Sequence, residues 1–309
     1  MSKTIQQKAD TILKDFGLDF EIEKLPLFGQ RKSMVVDDNG EVVVGGIIDV
    51  ESPYFGLYNT ASGEIINTVK KGYTISQNRE IVELVLAGLE PFGDKLKVVK
   101  AGSINGGRRV FIQLAIEGDG VVNGDPIKRY ITIIDSNDGS TGLSIGIGTR
   151  TASCFNQYFS FYKEGNSKFR HTSSITARIQ EIPVLVELAL ENSLRLVETY
   201  NRWNGIAIEE AQIHEMVKRV CGKDRTMDLS ETTVASINHM ELVYEHIVKE
   251  TTQKGLNVWG LHSGITSFTT HEKTKEKRDN QNMERMLGGT KYTANSKATL
   301  YANELVLAN

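Results

Sequence analysis

The chain has 309 residues, with 36 Lys+Arg against 39 Asp+Glu and a net charge of −3. That length supports one large or two ordinary domains with real cores, and the composition is that of an ordinary soluble globular protein. No run of about 18 apolar residues occurs, so no membrane span is expected, and the two cysteines, Cys154 and Cys221, are too far apart and too isolated for a disulfide scaffold or a cysteine zinc site.

The start of the chain repeats Ile5, Ala9, Ile12, Leu13 and Phe16 at helical spacing, which predicts a leading helix and not a secretory signal. Glycine turns at Asp38-Asn39-Gly40, Ala61-Ser62-Gly63 and Lys71-Gly72 then bound strand-like runs, Val42–Ile48 and Glu64–Val69. Asn78–Leu89 reads as a helix with Ile81, Val82, Val85, Leu86 and Leu89 on one face. Four strands follow, at 96–104, 108–117, 127–135 and 142–149. From about residue 150 the pattern turns helical: 174–203, with Pro183 expected to kink or break it, then 208–221, 231–253, 257–270 and 293–306. The charged run His271–Asn282 reads as a solvated helix extension or a mobile loop. Strands first and helices second predict an α+β class: an antiparallel β-meander packed by helices over 1–173, then a helical domain over 174–309.

Charge is uneven along the chain. Residues 1–90 carry 9 Lys+Arg and 14 Asp+Glu, residues 91–180 carry 12 and 7, and residues 181–309 carry 15 and 18. A basic middle third in an acidic chain suits an anionic partner, and local fluctuation of a mixed surface produces the same numbers.

Within that basic third, Asn105-Gly106 is a strong two-residue hairpin signal, because a type I′ turn needs positive φ at both central residues. Placing them at the tip pairs Lys100 with Phe111 and Gly102 with Arg109. Alternation then puts Val99, Ala101, Val110, Ile112 and Leu114 on a core face. Lys100, Arg109, Phe111 and Gln113 share the other face, with Arg108 near the tip. Cations around an aromatic ring suit a nucleic-acid strand, through phosphate contacts and base stacking. The competing expectation is that Phe111 packs under a helix while Lys100 and Arg109 snorkel to water. On the strand Leu143–Arg150, a floor of Ser144, Gly146 and Gly148 ending in Arg150 allows close approach by a polymer or by a helix. A second basic run, Lys163, Lys168, Arg170, His171 and Arg178, is interleaved with Phe155, Tyr158, Phe159, Phe161, Tyr162 and Phe169. Most of these rings suit a core layer, leaving Tyr162, Lys168, Arg170 and His171 as candidate contacts.

Other chemistry finds little support. Asp135–Ser140 superficially suggests a calcium loop, but Gly139 and Gly146 stand where ligands are needed, so it reads as a turn. The six histidines show no HExxH spacing, and no P-loop or dinucleotide fingerprint occurs. No catalytic, cofactor-binding or metal-binding residue is assigned, and no cofactor is expected. Cys154 reads as a small apolar group, with only residue type to suggest a pair with His171.

A series of motifs stands in the order Tyr73, Gln77-Asn78-Arg79-Glu80, Ala101-Gly102-Ser103, Gly106-Gly107-Arg108-Arg109-Val110, Ser136-Asn137-Asp138-Gly139-Ser140, Arg150, Cys154-Phe155-Asn156 and Arg170-His171-Thr172. Trp259-Gly260 and Gly288-Gly289 come near the end. The series resembles the phage/plasmid-like family called domain of unknown function 932, found in phages, prophages and conjugative plasmids. The resemblance implies work on DNA during entry, replication or recombination, or interference with host defence. Phage single-strand annealing proteins also combine a curved hairpin sheet with helices and assemble as rings or filaments, an analogy at the level of fold.

The expected function is therefore non-enzymatic binding of single-stranded DNA, or another nucleic acid, in a homo-oligomer in the cytoplasm of a bacterial host, without a membrane. The expected contacts are Lys100, Arg108, Arg109, Phe111, Gln113, Arg150, Lys168, Arg170 and His171. Two alternatives stay open. One is an enzyme acting on nucleic acid, with Asp135, Asp138, Cys154 and His171 gathered at one end of the sheet. The other is a counter-defence protein whose acidic ends bind a host factor.

Overall fold

The computed structural model describes residues 3–154, 156–161, 168–169, 181–222, 233–272 and 281–309. Helix α1 (Lys3–Asp15) buries Ile5, Ala9 and Leu13 at four-residue spacing. Strands β1 (Ile22–Val36), β2 (Val42–Asn59) and β3 (Glu64–Lys70) form a three-stranded antiparallel sheet in chain order. Sequence periodicity missed β1, because Pro26 and the charged Arg31-Lys32 pair interrupt its alternation. Pro26 is tolerated because β1 is an edge strand and its register shifts between Pro26 and Phe28.

Helix α2 (Asn78–Leu89) buries the expected face, and a 3₁₀ turn at Glu90–Lys95 leads into the second sheet. This is an antiparallel meander of β4 (Leu96–Ile104), β5 (Arg109–Val122), β6 (Asp125–Ser136), β7 (Leu143–Thr151) and β8 (Gln157–Phe161). A short strand, β9 (Lys168–Phe169), also pairs with β7. The sheet thus runs beyond residue 150, where a turn to helix was expected.

Helix α3 (Ile182–Asn204) carries Pro183 in its first turn, where no backbone N–H is needed, and is not broken by it. The earlier part of the expected helix, 174–180, lies outside the described residues. Then come α4 (Glu210–Cys221), α5 (Val234–Lys254), α6 (Val258–His271), α7 (Gln281–Gly288) and α8 (Thr290–Leu307). The α+β class holds, with two antiparallel sheets followed by helices. Among the described residues, no helix is long and apolar enough to cross a membrane.

Three cores organise these elements. In the first, α1, α2 and the first half of α3 (Ile182, Val186, Ala189) cover one face of the second sheet. That face supplies Ala101, Val110, Ile112, Leu114, Ile131, Ile133, Ile145 and Ile147, and the first sheet adds Ile22, Leu57, Ile66 and Val69. The second core is mostly helical: the rest of α3 (Tyr200, Trp203) packs with α4, α5, α6 and α8, joined by Val122, Ile127 and Tyr158 of the second sheet. The expected boundary at 173/174 lies outside the described residues, and α3 belongs to both cores. In the third core, Met283, Met286 and Leu287 of α7 lie on Ile104, Phe111, Ile134 and Phe159, on the opposite face of the second sheet.

The helical core is tight. A Cβ on Gly264 of α6 would overlap the backbone of Ile247 in α5, so the two helices touch through their main chains. Beside it, His262 is 1% exposed, with its ring centroid 4.7 Å from that of Trp203 and 5.3 Å from that of Tyr158. Its Nε2 is 3.1 Å from Thr299 Oγ1, and Nδ1 is buried without a partner. Burial, and secondarily the nearby Lys254 charge, lower its pKa to about 3.

Two outcomes are expected. Gly264→Val forces the helices apart and lowers the unfolding free energy by about 1–3 kcal/mol or more, readable in urea melts. The unfolded His262 ring binds a proton below pH ~6.5, while the folded ring resists protonation until about 3. The stability held by the neutral ring is therefore complete above pH ~6.5 and drains away as pH falls toward 3, by a few kcal/mol in all. Urea midpoints measured across that window should fall less steeply in His262→Asn, and identical slopes would remove His262 as the cause.

Candidate functional site

The hairpin at the head of the second sheet is built differently from a two-residue turn. Asn105, Gly106 and Gly107 all adopt positive φ (56°, 68° and 84°), and Ile104 pairs with Arg109 across a four-residue tip, 105–108. The register is displaced by two residues from the expected one, an even number, so each side chain of β5 keeps its face but changes partner. Phe111 faces Gly102, and Lys100 faces Gln113. An irregularity between Val98 and Lys100 turns Val99 outward, and Val98 packs against the core in its place.

Three glycine-like conformations are needed because the tip is docked into a polar junction between the two sheets. Asn137 Nδ2 donates to Gly107 O (2.9 Å), and the Asn137 and Asp138 amides donate to Arg108 O (2.8 and 3.2 Å). Asn59 of β2 donates to Gly106 O at 3.4 Å. A Cβ on Gly107 would overlap Asn59 and sit 3.1 Å from the Phe20 ring, so no side chain fits there.

The same junction absorbs the motif before α2. Gln77 uses both ends of its carboxamide on Ile22, accepting from the amide at 3.2 Å and donating to the carbonyl at 3.0 Å. Asn78 donates to the carbonyls of Leu18 and Phe20 and lies 3.5 Å from Asn137 Nδ2. Ser76 donates to the buried Asp135 carboxylate at 2.6 Å. The Tyr73 hydroxyl donates to Ser136 O at 3.3 Å. Burial, and then the charges of Asp135 and Asp138, hold the Tyr73 phenol protonated well beyond the ordinary tyrosine range. Asp138 accepts from the Ser140 amide at 2.9 Å and so closes the turn that was expected in place of a calcium loop.

The proposed contacts divide sharply. Arg108 is exposed at the tip, and Arg109 is half-buried with Nε 2.9 Å from Ser140 Oγ. Lys100 is exposed, its Nζ 5.8 Å from the Phe111 ring centroid. Phe111 is 1% exposed under α7 and Gln113 8%, so neither presents a surface to a base in this fold. These two residues are corrected from contacts to core. Arg150 stacks over Tyr130 (5.8 Å) and pairs with Lys128 and Gln157, at the opposite end of the sheet from the tip. Lys168 lies in β9, where its backbone pairs with Ser144. Arg170, His171 and Tyr162 lie outside the described residues.

Asp135 and Asp138 are not brought together with Cys154, and His171 lies outside the described residues. Asp135 and Asp138 stand at the tip end of the sheet, whereas Cys154 follows the far end of β7. The eight residues of strand between those ends span about 27 Å, beyond any catalytic hydrogen bond. Nor is Cys154 apolar packing. Its Sγ is 2.9 Å from Thr151 Oγ1 and 3.2 Å from Lys254 Nζ, and that lysine is paired with the buried Glu250 at 2.7 Å. Glu250 and Lys254 sit one helical turn apart on α5 and were not singled out from sequence. Helix α7 was missed too, although Met283, Met286 and Leu287 carry the i, i+3, i+4 signal.

Truncating the Asn137 side chain leaves Gly107 O without its donor, while Gly106 O keeps Asn59 and Arg108 O keeps the 137 and 138 amides. Asn137→Ala is expected to cost roughly 1–3 kcal/mol and to speed amide exchange at the hairpin tip. Arg108→Ala, at an exposed position, should stay within about 0.5 kcal/mol of the parent in the same melts.

A family model described as Domain of unknown function (DUF932) matches residues 65–288, from within β3 to the end of α7. No curated protein and no solved structure matches the chain significantly. The matched span contains the tip, the 136–140 turn and the motif before α2, while α1, β1 and β2 precede it. The chain accordingly belongs to the DUF932 family.

Proposed function

We propose that the protein binds the backbone of single-stranded DNA, as a homo-oligomer and without chemistry of its own, through the clamped hairpin tip and the open edge of β4. The observation that carries this reading is Arg108: an exposed cation on a four-residue tip whose carbonyls are held by Asn59, Asn137 and the 137–138 amides. A cation on a rigid mount loses little entropy when it meets a phosphate. Arg109 lies beside it, and exposed Lys97 and Lys100 continue along β4, an edge strand. Lysines on an edge also deter strand addition, so β4 is open to a polyanion more than to another strand.

With Phe111 inside the third core, base stacking on the sheet drops out of the mechanism. The binding proposed is electrostatic and indifferent to base sequence, with strong dependence on salt. A phage or plasmid setting, within the cytoplasm of a bacterial host, supplies transiently single-stranded DNA for such a protein. The enzyme alternative is disfavoured by the separation of Asp135 from Cys154.

Fluorescence anisotropy with a labelled oligonucleotide tests the reading. Arg108→Ala with Arg109→Ala should weaken binding at least tenfold at moderate salt. Loss of two phosphate contacts lowers the slope of log K against log salt by about 1.4. Unchanged affinity in the double variant, or binding insensitive to salt, overturns it.

A further inference from the structure

The first sheet is much longer than the body it stands on. Strand β3 pairs with β2 only from Tyr54 to Asn59, yet β1 and β2 remain paired out to Val36 and Val42. From Phe28↔Glu51 outward, the two strands form a ribbon about 30 Å long. None of residues 28–54 is buried. No described strand lies on either edge of this ribbon.

Such a ribbon is at odds with its own composition. Cross-strand register places Phe28, Met34, Val36, Val42, Val44 and Ile47 on one face, each 55–67% exposed. Val35, Val43, Ile48 and Val50 occupy the other face at 37–45%. Strands apolar on both faces belong inside a larger, covered sheet, and a lone two-stranded hairpin is marginal in water. The ribbon therefore calls for further strands.

Charge selects where they come from. The free edge of β1 carries Arg31 and Lys32, while the free stretch of β2 carries Asp49 and Glu51. Pairing β1 with β1 of a second copy sets cations against cations, and pairing β2 with β2 sets carboxylates against carboxylates. Both are penalised in a sheet. Pairing β2 of one copy with β1 of the next sets opposite charges side by side and repeats the antiparallel order already present within the ribbon. Within one copy that order brings Gln30 Nε2 within 3.3 Å of Asp49 Oδ1.

We propose that the β1–β2 ribbon is the self-assembly interface of this protein, with the β2 edge of each copy receiving the β1 edge of a second copy head to tail. A pair of copies joined in this way leaves one unused β1 edge and one unused β2 edge, so the assembly closes into a ring or grows as a filament. This inference rests on the oligomer in the reading above and names its interface. The ribbon precedes the family-matched span of residues 65–288, so assembly and tip are separate parts of the chain.

Sedimentation velocity of the full chain without nucleic acid provides the test. Wild-type protein should sediment as an oligomer. Arg31→Glu with Lys32→Glu, and separately Asp49→Lys with Glu51→Lys, should each weaken assembly at least tenfold. An equimolar mixture of the two variants should restore it, because each supplies the edge the other lacks, and restoration also shows that both variants are folded. An oligomer unaffected by either variant overturns this interface and leaves the oligomer standing. Two weakened variants that fail to complement overturn head-to-tail pairing. A wild-type monomer at every concentration overturns both the interface and the oligomer, and the anisotropy titration then judges nucleic-acid binding by itself.

Discussion

Carboxamides standing in for a missing backbone ladder hold the two halves of the β structure together. Where the first sheet meets the second, no strand pairs across. The backbone groups of Ile22, Leu18, Phe20, Gly106 and Gly107 are nevertheless satisfied by the side chains of Gln77, Asn78, Asn59 and Asn137. Buried backbone groups left unpaired are costly, so this network sets how the sheets sit on one another. Everything nearby follows: the three positive φ values of the tip, the fit of Gly107 against Phe20, and the orientation of Ser76 toward Asp135.

That network also gives the tip its proposed use. A hairpin tip in water frays, and a cation on it is poorly placed. Here the carbonyls on three successive residues of the tip are held, so the exposed Arg108 projects from a fixed support. Most of the polar side chains around the tip form the clamp and not the cation. Tyr73, Gln77, Asn78 and Asn137 are bound inward, and Arg108 and Arg109 are what the clamp presents.

Two charged edges divide the remaining surface. Lys97 and Lys100 line β4, the edge strand of the second sheet, and lysines on an edge disfavour strand addition. The β1–β2 ribbon carries its charges as complementary pairs on opposite strands and leaves its apolar faces open. These are opposite solutions to the same edge problem in one chain.

Local pattern was sufficient for much of this. The faces of α1 and α2, the first four strands of the second sheet, the α+β order, and the parity that put Arg109 and Phe111 on the same side were legible, because each depends on residues a few positions apart. The tip length was not legible: Asn-Gly satisfies a two-residue turn by itself, and only docking against Asn59 and Asn137 selects the longer one. β1 was hidden by Pro26 and its paired cations, which an edge strand accepts and an interior one does not. Above all, whether Phe111 faced a nucleic acid or a helix depended on residues 283–287, more than 170 positions away. The sequence by itself determined the sheet faces and the basic middle third. Tertiary structure decided which face stays open, because burial is set by whatever element packs there, and no periodicity within a strand encodes its distant neighbour.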